Sequence, residues 1–295
     1  MVRSGQRRIA EVNFRPPRRQ PLGVEALTLA ELRRREDPAR QRAPHRVEFH
    51  QVLLVTAGRG RHTVDFVDYP CVRGTLLWVQ PGQVQRYGLQ AGLEARLVLF
   101  TPAFPLHPAG AGPEGAVRPG PVHRQLDGAE RATIGTVLDQ IAAECARPDG
   151  SVSAELLQHL VAVLLLHLDR LAEGGAGGAG GGRRAAGETY ARFRQELERS
   201  YRTTRRAGVY AARLGYGVKT LSRVCLDATG HPVKQVIDAR VVLEAKRLLA
   251  HTDEPVARIS RQLGFSEATN FGKFFARHAG ATPAAFRRMT QGQDR

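Results

Sequence analysis

A run made entirely of glycine and alanine, residues 174–182, constrains this chain more than any other feature of its sequence. Side chains of this size cannot bury an apolar core, and glycine-rich segments behave as flexible linkers. We therefore predict a linker at residues 173–187 with one domain on each side, which suits a length of 295 residues. The predicted parts are a disordered basic tail at 1–22, a first domain at 23–172 and a second domain at 188–295.

Positive charge is concentrated behind the linker. The chain has a net charge of +16, and residues 183–295 hold 22 Lys and Arg against 10 Asp and Glu, which is +12 of that total. Such an excess favours an anionic partner such as nucleic acid, although a basic solvated surface would give the same count.

The cysteines and the apolar runs indicate the cellular compartment of the protein. Cys71, Cys145 and Cys225 stand alone, so the sequence predicts neither a disulfide framework nor a thiolate zinc site. The apolar run at 161–168 is too short to span a bilayer, and the N-terminus lacks the apolar segment of a signal peptide. These features predict a cytoplasmic protein without a membrane partner.

The first domain has the pattern of short strands followed by two helices. Strands are predicted at 49–56, 61–67, 74–79 and 93–100, and Gly58 and Gly60 predict a hairpin between the first two. Closely spaced short strands favour a small antiparallel barrel. A Pro- and Gly-rich loop at 102–126 precedes helices at 129–146 and 153–171.

The helix at 153–171 carries a broad leucine stripe that includes Leu157 and Leu164. Such a stripe needs an apolar partner. Two interpretations remain open: the stripe packs against its own barrel, or it packs against a second copy of the chain in a homodimer.

The second domain is predicted to be all-helical, and one arrangement occurs in it twice. Leu214-Gly215 and Leu263-Gly264 each end a short helix just before another helix begins. Glycine accommodates the positive φ of the tight turn in a helix-turn-helix unit, whose second helix can enter a major groove. One such unit is a weak signal, but two units joined by an amphipathic helix at 232–250 are far more specific.

The segment 231–288 resembles the C-terminal domain of AraC/XylS-type regulators, and the resemblance extends over 190–289. The residues that carry it are Ile259, Leu263-Gly264-Phe265, Asn270-Phe271, Phe274-Phe275, Gly280, Thr282-Pro283 and Phe286-Arg287. The resemblance implies a sequence-specific transcription regulator that binds double-stranded DNA, most often an effector-responsive activator that touches RNA polymerase. A repressor, an effector-independent regulator, or a cupin enzyme with a helical accessory domain are the alternatives.

The resemblance also implies which side chains face DNA. The candidates on the two recognition helices are Lys219, Thr220, Ser222, Arg223, Ala268, Thr269, Asn270 and Lys273. Candidates for phosphate contacts are Arg277, Arg287, Arg258 and Arg261, and each could equally be a solvated surface charge. Ser266 is expected to cap the second recognition helix, whereas Gly217 leaves the first one uncapped.

Core positions of the two units are assigned no part in base reading. They are Ile259, Leu263, Phe265, Phe271, Phe275 and Phe286 in the second unit, and Leu214, Leu221 and Cys225 in the first.

The segment 44–88 resembles the cupin sensor of the same regulators. Metal-binding cupins use three histidines and a glutamate, but here only His45 remains, and Val47, Gln51 and Gln85 occupy the other three positions. Because one ligand cannot hold a divalent metal, we predict no metal cofactor and no enzyme activity. The expected alternative is a pocket for an unidentified small-molecule effector, lined by His50, His62, Trp78 and Tyr87, although these residues could simply be core.

Overall fold

Two β-sheets and a helical unit make up the part of the chain that the computed structural model describes, residues 9–12, 23–35, 42–88, 92–104, 117, 120–147, 151–174 and 181–293. One compact unit comprises Ala10–Gly178, and Ala179–Arg295 belong to the other. The chain passes from one unit to the other within the Gly- and Ala-rich run.

The first unit is a barrel of two five-stranded sheets. The first sheet has the order β1-β3-β8-β5-β6, with β1 Ala10–Val12, β3 His45–Val47, β8 Val84–Gly88, β5 Arg59–Val64 and β6 Val67–Val72. The second has the order β10-β7-β4-β9-β2, with β10 His123–Gln125, β7 Thr75–Val79, β4 His50–Ala57, β9 Glu94–Phe100 and β2 Val24–Thr28. A short helix, α1 (Leu29–Arg35), follows β2.

Alternation along the strands of the second sheet produces two separate cores. Leu53, Leu77 and Leu97 lie in the barrel interior. Their neighbours Val52 and Trp78 lie on the opposite face, where α2 (Gly128–Cys145) and α3 (Ser151–Gly174) cover the sheet. Both faces are therefore buried, which explains why these strands are apolar throughout rather than alternating.

The predicted hairpin between the first two strands is wrong. β4 and β5 belong to different sheets, and β5 pairs with β6 and β8 instead. Gly58 marks the corner at which the chain changes sheets: its φ is +79°, and a Cβ there would lie 1.9 Å from the carbonyl oxygen of Gly92. A glycine is thus required at position 58, but the reason is the close approach of two backbone segments and not a turn between two paired strands.

Other boundaries also differ from the predictions. The predicted basic tail contains β1, which pairs in parallel with β3, while residues 1–8 and 13–22 lie outside the described residues. Most of the predicted loop at 102–126 lies outside them too, and its end forms β10. Helices extend into the predicted linker, because α3 ends at Gly174 and α4 (Gly181–Ser200) begins seven residues later. Ala and Arg, which occupy 183–186, are strong helix formers.

Leu157 and Leu164 belong to the core of their own domain. Their exposed fractions are 1% and 0%, and both pack in the cluster between α2, α3 and the second sheet. The interpretation that the leucine stripe packs on its own barrel is therefore confirmed for these two residues. Leu156, Val163 and Leu166 of the same helix are exposed.

The second unit repeats one arrangement. A seven-residue helix, α5 (Ala207–Arg213), precedes the twelve-residue helix α6 (Val218–Thr229), and α8 (Val256–Gln262) precedes α9 (Ala268–Ala279) in the same way. The long helix α7 (Val233–His251) joins the two pairs, and α10 (Pro283–Gln293) follows them. Both predicted turn glycines, Gly215 and Gly264, have the expected positive φ, at 74° and 72°.

The predicted core of this unit is found almost in full. Ile259, Leu263, Phe271, Phe275, Leu221 and Cys225 are completely buried, and Phe265 is 7% exposed. Leu214 and Phe286 are partly buried and pack against the same cluster.

A completely buried carboxylate on α7, that of Glu244, connects this helix to its neighbours. It accepts hydrogen bonds from Arg247 (3.0 Å) and Arg240 (3.4 Å) of α7 and from Arg202 (3.3 Å) beyond α4. Arg240 in turn donates to Glu198 of α4 at 2.8 Å. A buried charge is tolerated only when it is paired and hydrogen-bonded, so these arginines are required by Glu244.

We expect the substitution Glu244→Gln to destabilise the second unit by about 3–5 kcal/mol, because it removes the buried negative charge to which three arginines donate. In the control Glu198→Gln, the carboxylate that is removed is 44% exposed, and Arg240 retains its ion pair with Glu244. The free energy of unfolding should therefore fall by less than about 1 kcal/mol. Urea unfolding of the full chain, followed by circular dichroism, measures both. Equal losses in the two variants would contradict this account of Glu244.

Candidate nucleic-acid interface and sensor core

The predicted reading residues of α6 share one face. Lys219, Thr220 and Arg223 are exposed and Ser222 is half-buried, whereas Leu221 is completely buried. Residues three and four apart on a helix are neighbours, so Lys219, Ser222 and Arg223 form a contiguous polar surface above an apolar base.

Sequence reasoning missed Leu226 on this face. It lies seven residues after Lys219, two helical turns further on, and is 50% exposed. The spacing from Lys219 was the available signal. An exposed leucine at this place adds an apolar side chain to a predicted reading face that is otherwise polar.

The reading face of α9 follows the same geometry. Ala268, Thr269, Asn270, Lys273 and Arg277 are all exposed. The opposite face of the helix is anchored by two phenylalanines of zero exposure, which lie 5.9 Å apart between ring centroids.

The turn of the second unit is held by the segment that follows α4. Arg205 donates to the carbonyl oxygens of Leu263 (2.9 Å) and Gly264 (3.2 Å), and its guanidinium lies 3.6 Å from the ring centroid of Phe265. A Cβ on Gly264 would lie 2.3 Å from the carbonyl oxygen of Arg202. In contrast, a Cβ on Gly215 would meet nothing within 4 Å. The second turn is therefore tightly packed and the first is open.

The expected cap of α9 is wrong. Glu267 rather than Ser266 occupies the N-cap position, and no side-chain hydrogen bond caps the helix. Gly217 caps α6 without a side-chain bond, as predicted. The start of α9 is tied instead by Ser260 of α8, whose hydroxyl donates to the carbonyl oxygen of Glu267 at 3.4 Å.

Arg287 differs from the other candidate phosphate contacts because it is half-buried and its guanidinium donates to backbone carbonyls of other segments of the domain. It donates to the carbonyl oxygens of Leu249 (3.3 Å) and Glu254 (2.5 Å) and so ties α10 to the end of α7. Arg277, Arg258 and Arg261 are exposed. Of these, Arg277 lies on the recognition helix itself.

Inside the barrel, five polar side chains form one buried network. Gln51 and Gln85 exchange amide hydrogen bonds at 3.2 Å, and Tyr87 donates to Gln51 Oε1 at 2.5 Å. His62 Nε2 lies 3.0 Å from Gln85 Oε1, and His45 Nε2 lies 3.2 Å from Gln85 Nε2. Two of the residues that replace metal ligands, Gln51 and Gln85, are thus the centre of this network.

The hydrogen-bond partners determine which histidine ring nitrogens in the network carry a proton. Gln85 Oε1 is an acceptor, so His62 Nε2 carries a proton, while His45 Nε2 accepts from the Gln85 amide and its Nδ1 donates to the carbonyl oxygen of Ala43 at 3.1 Å. The His45 nitrogen that could ligate a metal is therefore occupied by an amide. Among the residues that the structure describes, no three His, Cys, Asp or Glu side chains are grouped to hold a metal ion.

The four residues predicted to line one pocket lie in two places. His62 and Tyr87 belong to the barrel network, with ring centroids 4.8 Å apart. His50 and Trp78 lie on the outer face of the second sheet, where His50 stacks on Phe100 at 4.7 Å. The sheet separates the two pairs, so they cannot line a single pocket.

Burial keeps these histidines neutral. Desolvation lowers the pKa of His62 from 6.5 to about 4 and that of His50 from 6.5 to about 3, and it also lowers the pKa of His45. A proton on any of them would place a charge at a buried site, where desolvation disfavours the charged form.

Comparison with known proteins agrees with both halves of this architecture. A family model described as a helix-turn-helix domain matches residues 210–289, and one described as an AraC-like ligand binding domain matches residues 29–164. The transcriptional activator RhaR of Klebsiella pneumoniae is 26% identical over 255 residues, which cover 84% of this chain and 88% of RhaR. The regulator RipA of Corynebacterium glutamicum is 35% identical over 72 residues, 24% of this chain and 22% of RipA.

A solved structure of ToxT from Vibrio cholerae strain SCE256 matches 83% of this chain and 88% of its own, with 11% identity and a TM-score of 0.40. The two family models together with RhaR show that the chain belongs to the AraC family of DNA-binding transcription regulators. In the described parts of the chain, no helix combines the length and the apolarity needed to cross a membrane.

Acid should destabilise the sensor domain, because unfolded histidine takes up a proton near pH 6.5 whereas folded His62 does so only near pH 4. The contribution of this neutral histidine to the free energy of unfolding is therefore fully present above about pH 6.5 and is lost as the pH falls towards 4. The loss is at most about 1.4 kcal/mol per pH unit for each such histidine. His62→Gln, which keeps a donor for Gln85, should flatten this dependence. Calorimetry of the full chain between pH 7.5 and 5 tests this, with the more exposed His159→Gln as control. Parallel pH profiles for both variants and the original chain would refute it.

Proposed function

We propose that this chain is an effector-responsive transcription activator that acts on DNA in the cytoplasm. The observation that carries the proposal is the repeated unit of the second domain, which presents two exposed polar recognition-helix faces above fully buried bases. In regulators with such units, each face enters a major groove, and the two groove segments lie about one helical turn, roughly 34 Å, apart.

Each exposed side chain fits a different part of a base pair. Arg223 and Lys273 are suited to the acceptors of guanine, and Asn270 is suited to adenine. Thr269 and Ser222 can donate or accept, and Ala268 can contact a thymine methyl group. Lys219 and Thr220 complete the first face, whereas Arg277 at the far end of α9 is placed for a phosphate.

The second unit should discriminate between bases more sharply than the first. The packed turn at Gly264, held by Arg205 and by the approach of the Arg202 carbonyl, presents α9 as a rigid surface. The open turn at Gly215 leaves more freedom to α6. A face that is ordered before binding loses less entropy on contact, so mispaired bases are rejected more strongly.

Activation is favoured over repression because the full-length relatives that match this chain bear the name of an activator. An activator must also contact RNA polymerase. The enzyme alternative has little support, because the residues at the cupin ligand positions bind one another instead of leaving lone pairs for a metal. A repressor or an effector-independent regulator is the second candidate.

We also propose a homodimer that uses the exposed apolar face of α3. Leu156 and Val163 lie two helical turns apart on one side of this helix, and Leu166 lies one turn further, with exposed fractions of 40%, 40% and 46%. The large apolar side chains of the other face are core. A second copy of the same helix is complementary to this surface in its apolar character.

Selection from randomised duplexes tests the proposed function and its residues together. The full chain should enrich one asymmetric site. Lys273→Ala and Arg223→Ala should each cost about 1–3 kcal/mol at that site and relax one or two base pairs, with the larger effect for Lys273. The control Arg277→Ala should weaken binding to all duplexes alike and lower the salt slope by about one. No enriched site with the original chain would refute the function, and unchanged preferences in both reading variants would refute the residue assignment.

The dimer proposal predicts opposite outcomes for two pairs of leucines on one helix. Leu156→Glu with Leu166→Glu should give a folded monomer by sedimentation, because only solvent-facing side chains change. Leu157→Glu with Leu164→Glu should instead unfold the domain, since charges placed in a core cost several kcal/mol. An unaltered dimer in the first pair would show that the interface lies elsewhere.

A further inference from the structure

The two recognition helices correspond to each other position by position. α6 and α9 are both twelve residues long, and each ends at a glycine in the left-handed region, Gly230 with a φ of 73° and Gly280 with a φ of 74°. The completely buried Leu221 of α6 occupies the same place as Phe271 of α9. Each position of the first helix therefore has a counterpart 50 residues later, and the two exposed faces can be compared directly.

Leu226 lies near the middle of the exposed face of α6. Successive residues of an α-helix are about 100° apart around its axis, which places Leu226 about 20° from Lys219 and about 60° from Arg223. The buried Leu221 lies about 140° away from it, and Asp227 lies about 100° away, at the edge of the exposed face. Leu226 thus shares this face with two cations.

Packing within the domain does not account for this leucine. Its side chain is 50% exposed, and in the part of the chain that the structure describes it is not one of the apolar residues that pack against the core of the helical unit. Its counterpart in α9 is Ala276, so a recognition helix of this architecture folds without a large side chain at this position. A contact outside the folded unit explains the leucine better than the core does.

Only one group on the base edges of a major groove is apolar. The groove presents hydrogen-bond donors and acceptors together with the 5-methyl group of thymine. A leucine side chain has no polar atom, so against a donor or an acceptor it would only displace water at a cost. Contact with the methyl group instead removes apolar surface of both partners from water. The cations of the same face attract the phosphates on either side of the groove.

We propose that Leu226 recognises a thymine by contacting its 5-methyl group in the groove segment that the first unit reads. This inference rests on the proposed function, because it requires α6 to enter a major groove. Leu226 follows Arg223 by three residues, about 4.5 Å along the helix axis. Neighbouring base pairs are about 3.4 Å apart, so the thymine lies one or two base pairs from the pair that Arg223 contacts.

Replacing thymine with uracil tests this contact, because uracil lacks only the methyl group and pairs with adenine in the same way. The site selected by the full chain is synthesised with uracil in place of each thymine in turn, and affinity is measured by fluorescence anisotropy at one salt concentration. The first segment is the one in which Arg223→Ala relaxes the base preference. We expect one thymine there at which uracil weakens binding about fourfold, which is the effect of one buried methyl-sized group.

Four comparisons connect that effect to the leucine. Leu226→Ala should bind the thymine and uracil duplexes equally at this position, whereas Leu226→Met, which keeps an apolar side chain, should retain the difference. Met289→Ala, which truncates a 56% exposed apolar side chain outside the recognition helices, should retain it too. Uracil in the second segment should affect Leu226→Ala and the original chain alike. Thermal unfolding checks that each variant folds.

The outcomes separate this role from the function on which it rests. A selected first segment without a thymine at this distance, or one in which uracil causes no loss, overturns the role of Leu226 and leaves DNA binding in place. An equal loss with uracil in Leu226→Ala and in the original chain overturns it as well. Altered sedimentation of Leu226→Ala with an unaltered thymine preference would place the leucine in a protein interface and so overturn it. Failure to select any site refutes the proposed function itself.

Discussion

The arrangement of the DNA-binding unit depends on one buried carboxylate. Glu244 has no access to water, so the three arginines around it must stay in place, and two of them reach beyond α7. Arg240 lies over the ring of Tyr201 at 3.9 Å, and Arg202 supplies the carbonyl against which Gly264 packs. The charge on the central helix is thereby linked through the segment after α4 to the turn of the second unit.

The barrel also buries polar side chains, but its buried network carries no net charge. Two of the positions at which metal-binding cupins hold their metal carry the amides of Gln51 and Gln85 here, and the glutamines, histidines and tyrosine satisfy one another by hydrogen bonds. A network of this kind stabilises the interior only while every member is neutral and paired. The two domains thus differ in how they bury polarity: ion pairs organise the DNA-binding unit, and neutral amides organise the sensor.

The sequence predicted the helical unit far better than the barrel, for a physical reason. Local signals define a helix-turn-helix: the Leu-Gly turns were identified from spacing, the buried phenylalanines were identified together with the family resemblance, and most helix bounds differ by few residues. Sheet membership depends on contacts between distant residues, so Gly58 predicted a hairpin where the chain changes sheets. Arg205 was missed because a single arginine outside a periodic pattern carries no signal of which backbone carbonyl it will contact. The capping role given to Ser266 failed because α9 begins one residue later than expected, with Glu267 at the N-cap position.

The two recognition faces are built on one backbone plan but carry different side chains, with Lys219 and Arg223 on the first and Thr269 and Lys273 on the second. A single chain therefore has a head and a tail with respect to the double helix. Under the proposed function, each copy of the chain docks on a given stretch of DNA in only one direction. The orientation of an asymmetric DNA site then sets the orientation of the protein bound to it. That orientation determines which of the two neighbouring genes a given surface of the protein faces.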